Sequence, residues 1–277
     1  EEESSLNALL PYVLKRGCRL CSDSEAISKY LENLYGAGVG VGVLKRGDDH
    51  ILHVAFETIS DKYAPNGEKL CDSVIDLMLS IMFESTSFSD EIVEQEKKNA
   101  KDRIMAMMND KRQYAVERCI ETMFEGENYA ISKLGTQEGI DKITADNLKK
   151  HYENIITSSV IDIYICGDAD ANALAEKIKK YTGKIAFKNA DIPKTEIYVP
   201  KNEVKNVTDK MDVVQGKLCM GFSTGIKPTD SDYPALMVAN SIFGGGAHSK
   251  LFNNVREKLS LCYYASGSLD KNKGALF

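Results

Sequence analysis

Gly244-Gly245-Gly246-Ala247-His248-Ser249-Lys250-Leu251-Phe252-Asn253-Asn254-Val255-Arg256-Glu257-Lys258-Leu259-Ser260-Leu261-Cys262-Tyr263-Tyr264 is the most informative run in this 277-residue chain. Three glycines end the element before them, because glycine weakens a helix and frees the backbone to turn. Residues 247–259 then read as a helix and 261–266 as a strand. Glycines ahead of a helix N-terminus can bind anions. A nucleotide phosphate loop, however, needs G-x-x-x-x-G-K-[ST], and here Lys250 is flanked by Ser249 and Leu251, so nucleotide binding is not expected. Arg256 falls on the helix and Tyr263, seven residues on, on the strand. From the residues alone, the reading is that Arg256 pairs with a surface carboxylate and Tyr263 lies in the core.

Upstream, 211–214 and 218–222 are strand-like and 230–243 is helical, so 207–277 forms a second unit. About 70 residues is small for a mixed domain, so this second domain is expected to be incomplete, with the chain a fragment or the domain completed elsewhere. Residues 184–206 hold Pro193 and Pro200, several charges and little periodicity, and read as a linker. Residues 1–183 form the first unit. Helices are expected at 22–35, 68–83, from Ser89 or Asp90 to about 109, at 113–124, from 145 to about 152, and at 171–181. Strands are expected at 38–43 and 50–60, with a buried one at 160–166. In Gly38-Val39-Gly40-Val41-Gly42-Val43 the valines share one face and the glycines the other. A bare glycine face either packs tightly against a helix or accepts a passing chain. Strands and helices come in the same order in both units. The fold class is therefore α+β, with mixed or antiparallel sheets flanked by helices.

Composition narrows the function. Hydrophobic residues make up 43% and charged residues 27%, the balance of a globular protein with a real core. A net charge of −6 offers no basic field for nucleic acid or anionic lipid. No apolar run reaches the roughly 20 residues of a membrane span. Glu1-Glu2-Glu3 is wrong for a signal or transit peptide, and a cytoplasmic location is expected. Seven scattered cysteines fit a reducing compartment, with Cys71, Cys119, Cys166, Cys219 and Cys262 used as small hydrophobes. Cys18 and Cys21 make the only C-x-x-C, without two further ligands at zinc spacing, and read as buried or half-buried thiols. Of the four histidines, His50 and His53 point to opposite faces of a strand. His151 and His248 read as solvated or hydrogen-bonded imidazoles.

The glycine turn and the segment from Leu251 to Tyr264 resemble the second-domain signature of the insulinase, pitrilysin and mitochondrial processing peptidase family. There a glycine-rich turn leads into "LF…VREKL.L.Y". The resemblance implies that Arg256 and Tyr263 reach the zinc site of an opposing half, hold substrate and stabilise the tetrahedral intermediate. A guanidinium and a phenol are good donors to a developing oxyanion. Leu14-Lys15-Arg16-Gly17 looks like the end of the family's metal-binding helix, and Glu94-Gln95-Glu96-Lys97-Lys98 like the charged helix that supplies its third ligand. Tyr152-Glu153-Asn154 through Gly167-Asp168 resembles the strand and turn near that domain's end. The implied architecture is two homologous α/β-sandwich-like domains, 1–183 and 207–277.

Peptidases of that family hold zinc on H-x-x-E-H. Aligned on Gly17, its three functional places are Ala8, Pro11 and Tyr12. The distal ligand, seven residues beyond Glu96, falls on Arg103, whose charge repels a divalent cation. No other H-x-x-E-H occurs in the sequence. No zinc, no other cofactor and no peptidase activity are expected from this chain alone. The resemblance implies a division of labour in which this chain pairs with a zinc-bearing paralogue, or with itself, around an unfolded peptide. Gly244, Gly245 and Gly246 would help hold that peptide, as would Val39 and Val41, since such peptides add as an extra strand. The rival is a structural or peptide-binding scaffold with no part in catalysis.

Overall fold

The computed structural model describes residues 2–188, 191–192, 194–197 and 204–277, so part of the expected linker lies outside the described residues. In chain order the elements are α1 (Glu2–Leu14), α2 (Ser24–Asn33), β1 (Gly38–Arg46), β2 (Asp49–Glu57), α3 (Leu70–Phe83), α4 (Asp90–Asn109), α5 (Lys111–Met123), α6 (Gln137–Asp141), α7 (Ala145–Ser158), α8 (Ala171–Thr182), β3 (Phe222–Ser223), α9 (Tyr233–Phe243), β4 (Leu269–Asp270) and β5 (Ala275–Leu276). The class is α+β. Packing groups Glu1–Lys45, His50–Met105 and Ser132–Pro193 in one unit, and Arg46–Asp49, Ala106–Ile131 and Lys194–Phe277 in a second.

The first unit is built on α1. Leu9, Leu10 and Val13 are fully buried and polar Ser4, Ser5 and Asn7 are buried with them, as befits a helix covered on nearly every side. It packs on α6 and α7. Pro11 lies inside α1 and has no N–H to offer the carbonyl one turn back, at Asn7. The Asn7 side chain is meanwhile fixed by His151 of α7, whose Nε2 lies 2.8 Å from Asn7 Oδ1. An amide oxygen only accepts, so Nε2 carries the proton. Burial drives the His151 pKa below its ordinary value.

On α4 the buried stripe is Val93, Glu96, Lys97, Ala100 and Ile104, at helical spacing. Its two charges are both partnered. Lys97 Nζ donates to Glu94 at 2.6 Å and to the carbonyls of Ile143 and Asp141. Glu96 is held by Arg16. Ile75, Met78 and Leu79 of α3 close on Leu174 of α8. Each such buried side chain contributes about 1.5–3 kcal/mol.

β1 and β2 form a two-stranded sheet. The glycine face of β1 is partly occupied, by β2's own side chains and, at Gly42, by the Tyr12 hydroxyl of α1 at 3.8 Å. A Cβ at Gly38 would meet Glu57 at 2.9 Å, and one at Gly42 would meet the His53 ring at 2.9 Å. Gly40 faces open space. Val39 and Val41 are half-buried.

In the second unit Phe124 meets Tyr129 edge to face at 4.7 Å, with Ile120, Met123, Ala275 and Phe277 around them. Beside these rings lies Lys273, 1% exposed. Its ammonium is 2.6 Å from Glu127 and 2.9 Å from Asp48, and it donates to the Glu196 carbonyl. β3, β5 and β4 form an antiparallel sheet in that order, pairing Phe222 with Leu276 and Leu269 with Leu276.

Several expected elements differ. Residues 160–166 do not pair as a strand and are not buried, with Tyr164 89% exposed and Cys166 exposed as well. Residues 211–214 and 261–266 likewise form no strand, and of 218–222 only Phe222 enters one. Alternating apolar residues suit a strand, but a ladder needs a neighbour, and these segments find none among the described residues. The helix expected at 247–259 is a π-helical segment, Phe252–Lys258. Its closing bond runs from Leu259 N to Asn254 O, five residues back.

Candidate functional site

Two places in the fold carry the residues singled out above, and each lies within one unit. In the second unit, a cleft of about 410 Å³ is lined by Gly244, Gly245, Gly246, Phe252, Arg256 and Tyr263, together with Tyr264 to Gly267. The glycines are there because backbones touch. A Cβ on Gly244 would come within 2.5 Å of Gly267 N, which donates to the Gly244 carbonyl at 2.8 Å. A Cβ on Gly245 would fall 2.6 Å from Ser241 Cα. The turn thereby ties the end of α9 to the far side of the cleft.

Arg256 lies on the π-helical segment and lines this cleft. Its Nε donates to the Tyr263 carbonyl at 3.0 Å, its guanidinium lies over the Phe252 ring at 4.6 Å, and it pairs with Glu257. Tyr263 is not a core residue. It is 79% exposed. Chemically, the cleft offers one guanidinium and one phenol on a mostly apolar wall. Both can donate to an oxyanion or to a peptide carbonyl. Phe252 was not marked by the sequence reading. Its place one turn before Arg256 is the signal that finds it.

In the first unit the places corresponding to a metal site fall together. Ala8 and Pro11 lie buried in α1. The Arg103 guanidinium stacks over the Tyr12 ring at 3.7 Å. Arg16, one turn beyond Tyr12, donates from Nε to Glu96 Oε1 at 2.6 Å, and Arg103 Nη1 is 4.0 Å from Glu96 Oε2. The donor set does not fit zinc. Alanine and proline side chains have no ligand atom, and the remaining places offer a phenol and a cation. Among the described residues no group of three or more His, Cys, Asp or Glu side chains is placed to hold a metal ion. Cys18 and Cys21 are buried, and all seven cysteines are free. Val39 lies near the Tyr12 wall, and its carbonyl accepts from Lys15 Nζ at 3.1 Å. Val41 is not part of that wall.

The model of the family described as "Peptidase M16 inactive domain" matches residues 142–277. The chain is 37% identical, over its whole length, to a Bacillus subtilis (strain 168) protein named "Probable inactive metalloprotease YmfF", of which it covers 66%. Over 90% of its length it is 23% identical to "Uncharacterized zinc protease YmxG" of the same strain, covering 62% of that protein. A solved structure of a conserved protein from Enterococcus faecalis V583 superposes with a TM-score of 0.85 at 29% identity, over 99% of this chain and 65% of that one. The chain thus spans just under two thirds of these relatives. Among the described residues no helix is long and apolar enough to cross a membrane.

Proposed function

Because this chain belongs to the peptidase M16 family as an inactive homologue, we propose that it is the metal-free half of a two-part peptide-processing chamber. A zinc-bearing paralogue supplies the ion and the water-activating base. This chain holds the unfolded peptide and presents Arg256 and Tyr263 to the charge that develops on the scissile carbonyl oxygen. The observation that carries the reading is the gathering of Gly244 to Gly246, Arg256 and Tyr263 on one cleft, in a chain whose metal positions have lost their ligands. That one bacterium holds both a relative named inactive and a relative named zinc protease supports such a pairing. Seven unpaired thiols favour a cytoplasmic setting.

A second reading has its own observation. Arg256 is already engaged by Glu257, Phe252 and the Tyr263 carbonyl, as expected of a residue that only braces a scaffold. The two readings part on one experiment. The chain is mixed with its zinc-bearing paralogue, and peptide cleavage is compared for the native chain, Arg256→Ala and Tyr263→Phe. An oxyanion donor is worth roughly 10²-fold in turnover, and a loss of that order in either variant is expected. Normal cleavage by both variants leaves the scaffold reading in its place.

A further inference from the structure

We propose that Cys119 and Cys219 form an oxidation-sensitive pair, which peroxide closes into a disulfide that clamps the second unit. Cys119 lies on α5 and Cys219 on the segment that leads into β3, both within the second unit. Both thiols are free and half-buried, within reach of a small oxidant. The inference stands apart from the peptide-holding role above.

The segment meets α5 through sulfur. Cys119 and Met123 stand one helical turn apart on one face of α5. A Cβ at Gly221 would fall 2.7 Å from Met123 Sδ and 3.1 Å from Cys119 Sγ, so glycine lets the segment come this close. Two residues earlier, the Cys219 thiol is hydrogen-bonded to the Cys119 thiol. A disulfide sets its sulfurs about 2 Å apart, and a hydrogen-bonded pair has little distance left to close.

The same hydrogen bond sets the order of events. Cys219 accepts from Cys119, which holds the Cys219 pKa below the ordinary thiol value. That bond, together with burial, pushes Cys119 up. The thiolate is the nucleophile, so Cys219 reacts first. It attacks hydrogen peroxide, the O–O bond breaks, and Cys219 becomes a sulfenic acid while hydroxide leaves. The Cys119 thiol then attacks that sulfur, the S–S bond forms, and the S–O bond breaks to release water. The two sulfurs are oxidised and the two peroxide oxygens reduced.

The C-x-x-C pair does not compete. Cys18 and Cys21 are only 1% and 5% exposed, and burial raises the Cys21 thiol. The bond proposed here also bears on the cleft. Arg112 of α5 lies over the Tyr264 ring at 4.5 Å, and Lys217, two residues before Cys219, lies over it at 5.7 Å. Joining α5 to that segment therefore fixes the two elements that flank Tyr264 on the cleft wall.

The test treats the full reduced chain with hydrogen peroxide, blocks the remaining thiols with iodoacetamide and maps the peptides. A cross-linked peptide joining Cys119 to Cys219 is expected, and dithiothreitol should release it. The closed loop should raise the thermal midpoint by roughly 5–10 °C, and the reductant should restore it. Cys119→Ser leaves Cys219 without a thiol to resolve it, so its sulfenic acid should accumulate and be trapped by dimedone. Cys219→Ser should leave Cys119 untrapped. Absence of the cross-link in the native chain, or a bond confined to Cys18 and Cys21, overturns the pair. Cross-linking without a rise in midpoint overturns the clamp. Equal trapping in the two variants overturns the order of attack.

Discussion

Lys273 shows how one residue can hold a unit together without announcing itself. Burial works against its charge, yet Glu127 and Asp48 more than offset this and hold its pKa above the ordinary lysine value. Removing it leaves Asp48 and Glu127, each about a quarter exposed, without their cation, so the cost falls below the about 3–5 kcal/mol of breaking a fully buried pair. Lys273→Met is therefore expected to lower the urea midpoint with little change in slope. An unchanged midpoint would mean the ammonium is dispensable. His151 supplies the acid-side counterpart. Its folded pKa is depressed, so its stabilising effect is complete above the unfolded value near 6.5. That effect is lost as pH falls from there through the folded value. The thermal midpoint should drop over that window in the native chain and drop less in His151→Gln. Neither residue could be singled out beforehand. Lys273 sits in a polar turn, and its partner Asp48 is 225 positions away. The sequence allowed His151 to be hydrogen-bonded but could not point to Asn7.

At the scale of elements, most helices were legible, although α1 was not among those expected from apolar spacing, and most strands were not. α3, α4, α8 and α9 lie where the apolar spacing puts them, because helical hydrogen bonds are local. Caps sharpen the ends. Thr144 and Asn147 close a reciprocal box at the start of α7, and Thr144→Ala is expected to cost about 1 kcal/mol, read from a chemical melt. α6 was missed because five residues are too few to show a period. The strands at 160–166, 211–214 and 261–266 failed for the opposite reason, since alternation names a face but not a partner. Half of the candidate site was legible in the same sense. Arg256, Tyr263 and the three glycines lie close in sequence and do share a cleft. The stacking of Arg103 on Tyr12 joins helices far apart in the chain and only becomes visible in three dimensions.

For the whole molecule, the family frame and the charge pattern point the same way. A fold whose relatives include a zinc protease is kept here with a core and a glycine-shaped cleft, but its first unit holds Ala8, Pro11, Tyr12 and Arg103 where a metal would need ligands. Sequence patterning placed the divisions at 183 and 207, whereas packing draws each unit from separated pieces of chain. Segments such as 46–49 and 106–131 join the second unit through contacts distant in sequence. The central claim is that this polypeptide cannot hydrolyse a peptide bond by itself. The direct measurement is cleavage of an unfolded peptide by the purified chain alone, with stoichiometric zinc added and then with a chelator. The account predicts no cleavage above buffer in either condition. Zinc-dependent cleavage that the chelator abolishes would contradict it.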